Sequence, residues 1–188
     1  MKKLILAVFA LAVTFGFGVD NALAQMSNGN PMVGGAAMYK TKNIVENAVN
    51  SKDHTTLVAA VKAAGLVQTL QGKGPFTVFA PTNSAFNALP AGTVDTLVKP
   101  ENKAMLTKIL TYHVVAGNMD SKKIMKAIKK GNGKAMLTTV SGDMLTASMN
   151  GDSLVLTDEK GGTSTVTIAN VKQSNGVIHV VDTVLMPE

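Results

Sequence analysis

The stretch GPFTVFAPTNSAF, Gly74 to Phe86, constrains the fold of this chain more than any other. Phe76 to Ala80 is a short apolar run of residues that favour strands. Alternation sends Phe76 and Val78 to one face and Thr77 and Phe79 to the other, so both faces call for burial. A strand of that kind requires packing layers on its two sides. Pro81 cannot donate to a ladder and ends the strand. Thr82 or Asn83 then caps a helix that carries Phe86 and Leu89 inward. Each residue has a structural task, so the joint is architecture and not an active-site loop. Ser84 lacks the Gly-x-Ser-x-Gly frame that makes a catalytic serine protrude, since Ala80, Thr82 and Phe86 occupy the surrounding positions.

Helical signals dominate before and after this strand. Asn43 caps a short helix with Ile44, Val45, Ala48 and Val49, and a second carries Leu57, Val58, Val61 and Ala64 on one face until Gly65. Leu66, Val67 and Leu70 form a further turn. A helix near Thr93 to Val98 follows, and Pro100 opens another that turns Met105, Leu106, Ile109 and Leu110 inward. Thr111 to Gly117, TYHVVAG, switches to strand, and Asp120 caps the helix SKKIMKAIKK, which stops at Gly131. From Lys134 the period is two, with turns at SGD, NGD, DEKGG and SNG bounding four or five strands. Helices mostly N-terminal and antiparallel strands mostly C-terminal predict an α+β domain.

At the N-terminus, Lys2 and Lys3 precede an apolar run, Leu4 to Phe17, and ALAQ offers cleavage between Ala24 and Gln25. Residues 1–24 are expected to be a secretory signal peptide, too short in its apolar part to span a bilayer. Residues 25–38, rich in Gly, Asn, Ser and Met, are expected to be a flexible tail before a domain over 39–188. The chain has no cysteine, which excludes a disulfide framework and a lipidated anchor. An exported chain, periplasmic or secreted to the cell surface, must then stand on its hydrophobic core. Every basic residue is lysine, 16 beyond the leader against 11 acids. Without arginine or tryptophan, nucleic-acid reading is not expected.

Three segments together resemble the fasciclin-type domain family. They are FTVFAPTNSAF, with Phe76, Val78, Phe79, Pro81, Thr82, Asn83 and Phe86; the pair Tyr112-His113; and NGVIHVVDTVLMP, with Asn175, Gly176, His179 and Asp182. The resemblance covers about 39–188. It implies a wedge-shaped β-sandwich with helices packed on it, in secreted or surface proteins that mediate adhesion, with no catalytic activity belonging to the family. It also implies that Tyr112 and His113 form a packing and hydrogen-bonding element supporting surface recognition. Adhesion members carry an acidic residue five positions before the final Asn-Gly; here Asn170 stands there, so integrin recognition by that route is not expected.

The remaining motifs carry no catalytic or metal chemistry. His54, His113 and His179 are too far apart for a local metal site; His54 is expected to be solvated and His179 buried against backbone. Asp143, Asp152, Asp158 and Glu159 sit in turns without the spacing of a calcium loop, and the Gly-Lys stretches lack the phosphate-loop frame. The methionines are expected to be core filler. No metal or cofactor is expected. One surface stands out: Lys122, Lys126 and Lys130 share a helix face flanked by Lys123 and Lys129, while Ile124, Ala127 and Ile128 point to the core. The expected function is an exported, non-catalytic adhesion or matrix-binding module, whose partner is a cell-surface or matrix protein or an anionic polysaccharide. The alternative is a periplasmic carrier holding an apolar small molecule between helices and sheet.

Overall fold

The structure, a computed structural model, describes residues 26–27 and 29–188. The expected leader, residues 1–24, and the cleavage site at Ala24 and Gln25 lie outside the described residues. Among the described residues, strands and α-helices occur in the order β1 (Met26–Ser27), β2 (Asn30–Val33), β3 (Ala36–Ala37), α1 (Ile44–Ala48), α2 (Thr55–Ala64), α3 (Val67–Gln71), β4 (Phe76–Pro81), α4 (Asn83–Asn87), α5 (Thr93–Leu97) and α6 (Lys103–Tyr112). The order continues with β5 (Val114–Ala116), α7 (Ser121–Lys130), β6 (Lys134–Thr138), β7 (Met144–Asn150), β8 (Ser153–Thr157), β9 (Thr163–Gln173) and β10 (Gly176–Val181). The domain is α+β, with helices early and strands late.

A seven-stranded sheet runs β5-β4-β10-β9-β8-β7-β6, antiparallel except where β10 lies parallel to β4. It curls until its edges meet: Val115 bridges Thr139, and Val140 N–H donates to the Val114 carbonyl at 2.7 Å. The long β9 joins the two halves, pairing with β8 through its first residues and with β10 through the rest. Between the halves lies one core, with Phe79, Tyr112, Ile124, Leu145, Leu156 and Val181. The helices cover the outer face of β4 and β10. There they form a second core, in which Val78, Ala80 and Ile178 of the sheet meet Val61, Phe86, Leu106 and Leu110 of the helices. β4 therefore separates two cores, as its doubly apolar faces require.

Local chemistry accounts for the element ends. Asn43 accepts from Glu46 N–H in a capping box, Thr82 from Ala85 N–H, and Asp120 from Lys123 N–H. Gly65, at φ +76°, closes α2 in the left-handed region.

The structure departs from the sequence pattern at four places. Residues 29–38 are not a flexible tail: β2 and β3 pair, and Val33 and Met38 are 5% and 2% exposed within the helix-side core. The low-complexity composition conceals two apolar anchors. Met105 and Met136 are not core filler, being 58% and 60% exposed. The buried stripe of α6 runs through Leu106, Ile109 and Leu110, one residue beyond Met105, and Met136 lies on the outer face of β6. Thr111 and Tyr112 end a helix and do not begin a strand; Thr111 Oγ1 donates to the Thr107 carbonyl one turn back, at 2.7 Å. His54 is buried and not solvated, because Ser51 Oγ meets its Nδ1 at 2.8 Å as a 3₁₀ turn folds the ring inward.

Candidate functional site

Most of the family-motif residues lie inside the molecule, where they tie elements together. Asn83 Oδ1 accepts from Thr56 N–H at 3.0 Å and its amide donates to the Lys52 carbonyl at 2.8 Å, fastening the joint after β4 to the start of α2. Asn175 joins three segments: its amide donates to the Leu70 and Gly72 carbonyls, and Oδ1 accepts from Ile44 N–H. Gly176 lies against the Phe76 backbone so closely that a Cβ would collide with it. Asp182 Oδ1 accepts from Thr165 N–H at 2.8 Å and from Thr183 Oγ1 at 3.0 Å, closing the end of β10 onto β9.

Two histidines are fixed as neutral tautomers. Leu185 N–H donates to His113 Nε2 at 3.0 Å, so His113 Nδ1 carries the proton given to the Ile109 carbonyl. Asn170 N–H points at His179 Nδ1 at 3.4 Å, so Nε2–H donates to the Met119 carbonyl at 2.9 Å. Burial lowers the pKa of both rings, and of His54, against smaller opposing contributions from backbone carbonyls. Tyr112 donates its hydroxyl to the Met144 carbonyl at 2.8 Å, and burial pushes its phenol up to about 12. Both Tyr112 and His113 are buried, so neither presents a surface for a partner. Among the histidines, His54 is the one whose surroundings the sequence pattern misstates. Ser51, three positions earlier and able to bond an inward-turned ring, is the one signal that points to it.

The surface feature is α7. Ile124 and Ile128 anchor it in the core, and Lys122, Lys123, Lys126, Lys129 and Lys130 are all exposed. Asn170, in the left-handed region at φ 63°, reaches across from β9 to the N-terminus of α7: Oδ1 accepts from Ser121 N–H and its amide donates to Ser121 Oγ. Lys123 Nζ donates to the Asn118 carbonyl at 2.7 Å. Among the described residues the ion pair present is Lys108–Asp143 at 3.6 Å, so the α7 lysines engage no carboxylate there. Among the described residues, no group of three His, Cys, Asp or Glu could hold a metal, and no helix is long and apolar enough to cross a membrane.

A curled sheet, covered by helices over β4 and β10 and tied by buried asparagines and histidines, defines the domain's architecture. The Fasciclin domain family matches residues 52–187, and the chain belongs to that family. Protein sll1483 of Synechocystis sp. is 42% identical over 185 residues, covering 97% of this chain and 96% of that protein. Cell surface glycolipoprotein MPB83 of Mycobacterium bovis is 33% identical over 175 residues, covering 90% and 72%. The solved domain pair of the insect cell adhesion molecule Fasciclin I shares the fold, with a TM-score of 0.69 at 16% identity over 77% of this chain and 51% of that one.

Proposed function

We propose that the chain is an exported, non-catalytic adhesion or matrix-binding module whose α7 lysine face meets an anionic polysaccharide of the cell surface or matrix. The observation that carries this reading is five exposed lysines, without carboxylate partners among the described residues, on a helix anchored in the core. Like charges at i, i+4 cost a few tenths of a kcal/mol per pair, so local helix stability does not account for them. A rigid cationic face attracts a polyanion over roughly one Debye length, about 10 Å at 0.1 M salt. The cell-surface and adhesion descriptions of the relatives support the same setting.

The test is binding of the chain from Gln25 to Glu188 to alginate across a salt series. Saturable binding that falls steeply with salt is expected, and the triple variant Lys122→Gln, Lys126→Gln, Lys130→Gln should lose most of it. Equal binding by that variant removes α7 from the account.

A further inference from the structure

A cavity of about 80 Å³ lies in the helix-side core, walled by α1, α2, α3, β4 and β10. Its lining surface is almost wholly apolar, with Ile44, Leu57, Val61, Val78, Leu110 and Ile178 among the contributors. It extends to partly exposed residues, Val45, Val58 and Val67, where α1, α2 and α3 come together at the surface. An aliphatic cavity of about 150 Å³ can stay dry and admit a small apolar molecule. This one is smaller, and some of its lining residues are partly exposed.

His54 breaks the apolar lining. The residue is 3% exposed, its Nδ1 is occupied by Ser51 Oγ, and its Nε2 has no hydrogen-bond partner among the described residues. The Ala80 carbonyl faces the ring as a backbone acceptor and raises its pKa, but among the described residues no group approaches Nε2 in full hydrogen-bond geometry. A polar group left buried and unpaired is unfavourable, and a ligand group bonded to Nε2 relieves that cost. The other nearby ring offers no such opening, since both nitrogens of His113 are engaged.

We propose that this cavity binds a small linear aliphatic molecule carrying one neutral hydroxyl, with the hydroxyl on His54 Nε2 and the chain running between α1, α2 and α3. A hydroxyl both donates and accepts, so it fits either tautomer that the Ser51 contact permits. A carboxylate on Nε2 does not fit: the ring is neutral, and Lys62, the cation among the lining residues, is exposed to solvent and does not compensate a charge buried at His54. The site is separate from the α7 lysine face and stands or falls independently of it.

The test uses 1-hexanol and hexanoate as probes on the chain from Gln25 to Glu188. Calorimetric titration should show saturable binding of 1-hexanol, at least about tenfold tighter than hexanoate. ¹⁵N spectra of the wild-type chain should show His54 Nε2 shifting along the same saturation curve, while His113 and His179 stay still. His54→Leu should weaken 1-hexanol binding by about tenfold, the equivalent of one hydrogen bond of about 1.4 kcal/mol. The proposal is overturned if 1-hexanol does not saturate, if hexanoate binds as well, or if the His54 ring is silent. The ring signal is read in the unaltered protein, so it decides the matter even where the variant fails to fold.

Discussion

Taken residue by residue, the motifs act through satisfied polar groups in places where water does not reach. Asn175 is the clearest case, with three hydrogen bonds to α1, to the end of α3 and to the residue beyond it. Asn175→Ala leaves one N–H and two carbonyls without their partner, and should cost about 2–4 kcal/mol in urea unfolding; a loss under about 1 kcal/mol would contradict the geometry. The histidines set a pH dependence. Each has a folded pKa below the ordinary 6.5, so the unfolded chain binds protons first as pH falls. Stability is therefore complete above about pH 7 and declines below about 6.5, by up to about 1.4 kcal/mol per pH unit for each ring. A urea midpoint that stays constant between neutral and mildly acidic pH would refute the neutral buried state. The motif residues are visible in the sequence, but their bonds are not: nothing local shows that Asn175 reaches Leu70, or that His54 turns inward.

Among the elements, α7 is legible almost completely, because its signals are local. Asp120 before it, Gly131 after it and the spacing of Ile124 and Ile128 all belong to one short segment. Its second attachment is hidden from the sequence, since Asn170 arrives from β9. The helix N-terminus is thus held twice, by Asp120 on Lys123 N–H and by Asn170 on Ser121 N–H. Asp120→Ala should cost about 1 kcal/mol in urea unfolding, the usual loss for a cap. The triple lysine-to-glutamine variant, by contrast, should unfold at the same urea concentration or slightly higher, because it removes repulsion on an exposed face. If that variant is destabilised by more than about 1 kcal/mol, the lysines are structural and any lost binding would say little about contact. The end of α6 escapes the sequence pattern for the opposite reason. Tyr112 and Val114 have strand-like side chains, but the Thr111 hydroxyl bonded one turn back and the buried Tyr112 hold the helix.

For the molecule as a whole, the sequence pattern conveys the two-layer arrangement because β4 is apolar on both faces, yet it does not reveal how the sheet closes. Closure depends on contacts such as Val140 to Val114 and on the register of β9 with two partners, which no local pattern encodes. The N-terminal segment presents the same difficulty. Its composition suggests a tail, but Val33 and Met38 reach the helix-side core, and Lys52 N–H donates to the Gly34 carbonyl at 3.0 Å. Burying a valine and a methionine contributes about 1.5–3 kcal/mol each. A chain beginning at Tyr39 should therefore be less stable than one beginning at Gln25 by several kcal/mol. It should also open the wall of the His54 cavity, since Val33 and Met38 line it. Urea unfolding of the two chains, with 1-hexanol titrated into each, checks both consequences. Equal midpoints would return the segment to the role of a tether, whereas a lower midpoint with weakened alcohol binding would make it part of the domain and of its cavity.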